Sequence, residues 1–134
     1  MLDQNQISTF LTFSGQAEEA VKFYVDLFDE GKIISTRYFE EGEPGEVGKI
    51  YTMVFELGNQ KFAALDMEKK YAVDFSWATS IFVETKNEAE FDRLFEAFKE
   101  GGHVMMGPEA MGIYSKVTWV TDRFGVTWQL VCEK

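Results

Sequence analysis

The sequence predicts an α+β fold of two similar modules, each running strand, helix, strand, strand, strand. Short runs rich in β-branched and aromatic residues stop at glycine-bearing turns. Two stretches carry apolar residues at helical spacing, and the same order of elements recurs in both halves of the 134 residues. This length suits one domain whose halves share a core, not two independently folding domains. The expected organisation is a single domain over 1–134, with module 1 at 6–67, a linker at 68–75 and module 2 at 76–134.

Residues 7–13 form the first expected strand, closed by Ser14-Gly15. A helix follows over 16–28, with Ala20, Phe23, Tyr24, Leu27 and Phe28 on one face and Glu18, Glu19, Lys22 and Asp26 on the other. Gly31 ends it, and strands are expected at 32–39, 49–57 and 61–67, with an acidic loop at 40–48 and a Gly58-Asn59 turn between them.

The second half repeats this order. A strand at 79–85 leads to Asn87, which with Glu90 makes a capping-box start for a helix whose apolar face is Phe91, Leu94, Phe95 and Phe98. Gly101-Gly102 stops the helix, residues 104–106 continue as a strand, 107–112 read as a loop, and strands follow at 114–120 and 126–132 around an Asp122-Arg123-Phe124-Gly125 turn. An offset of 71 places Thr9 on Ser80, Ala20 on Phe91, Tyr24 on Phe95 and Gly31 on Gly102. Internal duplication accounts for this, with each sheet covered by its helix on one side and the two sheets enclosing a bowl.

Composition narrows the function classes. Thirteen basic against 23 acidic residues give a net charge of −10, and no basic stripe exists to release counterions, so nucleic acid is excluded as a partner. The acid is spread through both halves, as a solvated surface would have it. One cysteine, Cys132, cannot form an internal disulfide and suits a reducing compartment. The start of the chain has no basic patch leading into an apolar run, and no apolar stretch is long enough to span a bilayer. A cytoplasmic protein without membrane partners is therefore expected. Dinucleotide, phosphate-loop and nucleophile-elbow motifs are absent.

Three motifs carry a family resemblance: Gln16-Ala17-Glu18-Glu19-Ala20-Val21-Lys22-Phe23-Tyr24, Gly58-Asn59-Gln60-Lys61-Phe62-Ala63-Ala64-Leu65-Asp66, and Trp119-Val120-Thr121-Asp122-Arg123-Phe124-Gly125-Val126-Thr127-Trp128-Gln129. In this order they resemble the PhnB-like branch of the vicinal oxygen chelate superfamily, which includes glyoxalase I, extradiol dioxygenases, and fosfomycin- and bleomycin-resistance proteins. The resemblance implies paired βαβββ modules in a U-shaped mixed sheet, a ligand site in its concavity, and a homodimer. Some members of this branch carry a demethylubiquinone methyltransferase label, but nothing here resembles the glycine-rich nucleotide loop of a doubly wound methyltransferase.

In metal-dependent relatives, four strand positions supply His and Glu ligands, and the resemblance carries them onto Thr9, Ala64, Ser80 and Gln129. Neutral hydroxyls, a methyl group and an amide do not match a divalent transition ion. His103 follows a glycine stop and Cys132 lacks a partner, so neither is read as a ligand or nucleophile. No metal and no cofactor are expected. Strand alternation and the module alignment add Thr52, Asp66 and Trp119 to a cavity lined by Thr9, Thr52, Ala64, Asp66, Ser80, Trp119 and Gln129. The expected function is a metal-free small-molecule-binding protein of sequestration or resistance type. The alternatives are an enzyme with Asp66 as acid/base and Gln129 stabilising an oxygen, or a dimeric structural partner with a filled cavity.

Overall fold

The computed structural model describes residues 6–134. Residues 1–5, where the absence of a leader was read, lie outside the described residues. The chain forms two compact units, Met1–Val73 and Asp74–Lys134.

In the first unit the elements are β1 (Thr9–Phe13), α1 (Ala17–Leu27), β2 (Lys32–Tyr38), β3 (Ile50–Leu57) and β4 (Gln60–Asp66). The sheet order is β1-β4-β3-β2, with β1 parallel to β4 and the other neighbours antiparallel. The buried stripe of α1 is Ala17, Ala20, Val21 and Tyr24. Phe23, Leu27 and Phe28, expected in that stripe, are only half-buried.

Register defines the two faces of this sheet. Thr9 lies beside Phe62, Leu11 beside Ala64 and Phe13 beside Asp66, while Met53 opposes Ala64 and Phe55 opposes Phe62. Met53, Phe55, Phe62 and Ala64 are at most 2% exposed, and the Phe55 and Phe62 rings stack at 5.2 Å. This is the α1 side, and each of its large apolar side chains contributes about 1.5 to 3 kcal/mol by leaving water. The acidic loop after β2 is a closed turn. Phe39 N–H donates to the Lys49 carbonyl at 2.8 Å and Gly48 N–H to the Phe39 carbonyl at 3.1 Å, and Arg37 pairs with Glu43. The Phe39 ring lies so near Gly45 that a Cβ there would come within 2.2 Å of it.

The second unit comprises β5 (Ile81–Glu84), α2 (Glu88–Lys99), β6 (His103–Met111), β7 (Tyr114–Thr121) and β8 (Thr127–Glu133). Its sheet order, β5-β8-β7-β6, repeats that of the first unit, with β5 parallel to β8. The expected apolar face of α2 is the buried one, Phe91, Leu94, Phe95 and Phe98. Its start is capped as the sequence implies. Glu90 N–H donates to Asn87 Oδ1 at 2.9 Å, and Glu90 Oε1 accepts from the Lys86 N–H, one residue before the cap, at 2.7 Å.

The expected loop at 107–112 is instead part of β6, which reaches Met111. Gly107-Pro108, within that expected loop, is a cis peptide in a bulged edge strand. The register shifts between Met106 and Glu109, and Gly107 has φ of 77°. A Cβ at 107 would sit 2.1 Å from the Val117 carbonyl oxygen, so only glycine permits this approach. Proline is tolerated because an edge strand need not donate on both sides.

The offset of 71 describes the ends of both helices. Gly31 N–H donates to the Phe28 carbonyl, and Gly102 N–H donates to the Lys99 carbonyl. It does not hold for the faces of β1 and β5, which matters for the site.

Candidate functional site

The second sheet has one face on α2 and one turned from it. Trp128, wholly buried, stacks on Phe98 of α2 with ring centroids 4.4 Å apart, so Trp128 and its same-side neighbours Val120 and Ile81 face the helix. By alternation Gln129 points the other way, with Trp119 opposite it on β7 and Phe82 beside it on β5. Gln129 Nε2 donates to Ser80 Oγ at 2.8 Å. Next along this face, the hydroxyls of Thr121 and Thr127 are bonded at 2.8 Å. Ser80, Trp119 and Gln129 are therefore brought together.

Trp77 completes the cluster. Its ring meets Trp119 edge-on, at 5.5 Å and 87°, and it is 61% exposed. Sequence reasoning passed over this residue because it precedes β5 and belongs to no periodic run; a tryptophan in a polar approach to a strand is the signal that could have found it. The Trp119 indole Nε1 is shielded from solvent and has no hydrogen-bond partner among the described residues.

The other four expected site residues belong to the first unit. Thr9, Ala64 and Asp66 are on the α1 side of the first sheet, whereas Thr52, paired with Arg37 on β2, is on the opposite face. A common lining of Thr52 with Ala64 is thus corrected by register, since a one-residue offset in a strand exchanges its faces. For the same reason Thr9 and Ser80 do not correspond: Thr9 faces α1 and Ser80 turns away from α2.

Asp66 is fully engaged in holding the fold. Its Oδ1 accepts from Gly15 N–H at 2.8 Å and Ala17 N–H at 2.9 Å, and its Oδ2 from Ile50 N–H at 3.0 Å. Gln16, the cap residue of α1, makes no side-chain capping bond, so Asp66, 5% exposed, caps that helix from a distant strand. A carboxylate committed to three amides is poorly placed as a general base. The groove at this end of the first unit, about 490 Å³, is lined by Asp66 with Gln16, Glu46, Lys49 and Lys69 among others. Lys49 Nζ donates to the Gly15 carbonyl there at 3.2 Å.

Asp122 plays a matching part in the second unit. Its Oδ1 accepts from Phe124 N–H at 2.8 Å and Val126 N–H at 3.1 Å, and its Oδ2 from Trp128 Nε1 at 2.9 Å. The Asp122-to-Trp128 stretch of the third motif is therefore a turn and its anchor. His103 is an exposed start of β6 and Cys132 is buried in β8.

The donor set does not fit a catalytic metal ion. Of the four carried-over positions, Thr9 and Ala64 lie under α1, while Ser80 and Gln129 bond each other. Among the described residues no group of three His, Cys, Asp or Glu could hold an ion. The helix-terminus cradle by which doubly wound enzymes hold nucleotides does not fit either: Asp66 closes the start of α1 and Asn87 with Glu90 that of α2. Among the described residues no helix is long and apolar enough to cross a membrane.

Comparisons with known proteins agree on the fold. The family described as 3-demethylubiquinone-9 3-methyltransferase matches residues 5–131. The chain is similar to the PhnB protein from Bacillus cereus, with 34% identity over 96% of this chain and 99% of that one and a TM-score of 0.89. It also resembles protein PA1353 from Pseudomonas aeruginosa, with 31% identity over 96% and 97% and a TM-score of 0.84. A member of the glyoxalase/bleomycin resistance protein/dioxygenase superfamily from Sphaerobacter thermophilus shares the fold at 19% identity, covering 95% of this chain and 97% of that one with a TM-score of 0.57. A comparison with curated proteins finds no match.

Proposed function

Because the chain belongs to the PhnB-like family described as 3-demethylubiquinone-9 3-methyltransferase and shares the fold of a glyoxalase/bleomycin resistance protein/dioxygenase superfamily member, we propose that it binds a small organic molecule without a metal ion. The site is the face of the second sheet turned from α2, at Ser80, Trp119 and Gln129. The role is sequestration or resistance, in a cytoplasmic homodimer. One observation carries this reading. The positions that the resemblance equates with metal ligands hold, in this unit, a hydrogen-bonded serine and glutamine beside two tryptophans. Such a face offers apolar area with a few fixed polar groups, the make-up of a small-molecule site. The enzyme reading needs a free base, and Asp66 is spent on backbone amides.

The test is a thermal-shift screen of neutral, cationic and anionic fragments against chelator-treated protein. A compound held by the folded site must raise the melting temperature by mass action. Gln129→Ala is expected to weaken such a compound by about 1 to 3 kcal/mol and to leave the unliganded melting temperature nearly unchanged. A collapse of stability on substitution would assign Gln129 to the core. Stoichiometric zinc, nickel, iron or manganese in untagged protein would overturn the metal-free reading. Light scattering at twice the 15.4 kDa chain mass is the expected result for the assembly.

A further inference from the structure

The indole of Trp119 poses a specific question. Its Nε1 is the buried side-chain nitrogen or oxygen that lacks a partner among the described residues. Native folds leave few such donors unpaired, and an unpaired one in a candidate site marks where an acceptor is missing. Four neutral polar side chains of this face bond in pairs, Gln129 with Ser80 and Thr121 with Thr127. Trp119 Nε1 has no such bond among the described residues.

What surrounds it limits the chemistry of the missing acceptor. Trp77 and Phe82 are 61% and 52% exposed, one edge-on to Trp119 and the other on the strand beside Gln129. They offer flat apolar surface to a flat molecule. Trp77 is held by a short turn, in which Ala78 N–H donates to Ser76 Oγ at 3.1 Å. Trp77 lies outside the strands, so a change of its side-chain rotamer breaks no sheet hydrogen bond. The charged side chains that alternation places on the strands of this face are carboxylates, Glu84 on β5, Glu109 on β6 and Glu133 on β8, with His103 opposite Thr121 at the start of β6 and, among the described residues of these strands, no lysine or arginine on this face to receive an anion.

We infer that the ligand class is an uncharged planar ring compound carrying a hydrogen-bond acceptor, a ring nitrogen or carbonyl, which takes the Trp119 Nε1–H while its ring packs against Trp77 and Phe82. This rests on the binding reading above and adds the acceptor, the planarity and the charge. Quinoline and naphthalene separate these features, being alike in shape and differing by one acceptor nitrogen.

The experiment is a titration of the full chain with each compound, followed by the indole N–H resonances of Trp77, Trp119 and Trp128. With quinoline the Trp119 resonance is expected to move downfield, while that of Trp128, bonded to Asp122, stays in place. Naphthalene should bind at least tenfold more weakly, and 2-naphthoate no better than naphthalene. Trp119→Phe should reduce quinoline to the affinity of naphthalene. Equal binding of the two isosteres at Gln129 and Phe82, with the Trp119 resonance unmoved, would overturn the acceptor assignment and leave the binding reading standing. Tighter binding of 2-naphthoate would overturn the assigned charge. Failure of all three compounds to perturb Ser80, Trp119 or Gln129 would overturn the ligand class, and the wider fragment screen then decides the binding reading separately.

Discussion

Asp66→Ala is expected to lower the unfolding free energy by about 3 to 5 kcal/mol, because three backbone amides lose a charged acceptor at once. Two of them belong to the turn into α1 and one begins β3, at sequence separations of 51, 49 and 16 residues. The side chain thus ties the start of α1 to the ends of β3 and β4, and no neighbour in sequence can replace it. Globular domains of this size are stable by roughly 5 to 15 kcal/mol in all, so the loss should appear as a large fall in the denaturation midpoint. Asp66→Asn keeps one carbonyl oxygen but presents an N–H₂ group to the remaining amide, and an intermediate loss of about 2 kcal/mol is expected. Denaturant unfolding followed by circular dichroism measures both. An alanine variant as stable as the parent would mean that Asp66 does not hold the fold, and would return it to candidacy as a catalytic acid or base.

Asp122→Ala is the second large effect, expected at about 3 kcal/mol. Here the bonds are local, reaching two, four and six residues along the chain. The β7–β8 turn can therefore rearrange and recover part of the loss through water. What cannot be recovered is the Trp128 indole N–H, because Trp128 is wholly buried under α2. The substitution should destabilise the second unit and shift the buried tryptophan's fluorescence or near-ultraviolet dichroism. Trp128→Phe in the same background separates the two contributions: if the indole bond carries its share, the double variant loses less than the two single losses added together. Full additivity would contradict the assignment of that bond.

Much of the fold was legible because its signals are local. Phe91, Leu94, Phe95 and Phe98 recur at helical spacing and are buried, and Asn87 with Glu90 announced a cap that the structure contains. What failed depends on contacts distant in sequence or on a single residue of register. Thr52 and Ala64 were set on one face because strand alternation gives the pattern but not its phase, and the phase is fixed only by pairing with β2 and β4. Gly107-Pro108 carries the composition of a loop, and whether it is a loop or a bulge depends on the approach of the Val117 carbonyl from β7. The cap on α1 comes from Asp66 on β4, 49 residues along the chain from the amide it accepts, while Gln16 makes no side-chain cap, so no local signal announced it. In the second unit the alternation of Trp119 and Gln129 was legible, but the orphan indole and the approach of Trp77 were not, since neither follows from period or motif.

A crystal structure of the protein with the compound that most raises its melting temperature tests the central claim most directly. The expected result is density for that compound against Ser80, Trp119 and Gln129 on the sheet face turned from α2, with no coordinated ion beside it. Density for a metal ion held by side chains of this chain, or a compound seated away from those three residues, would contradict the account.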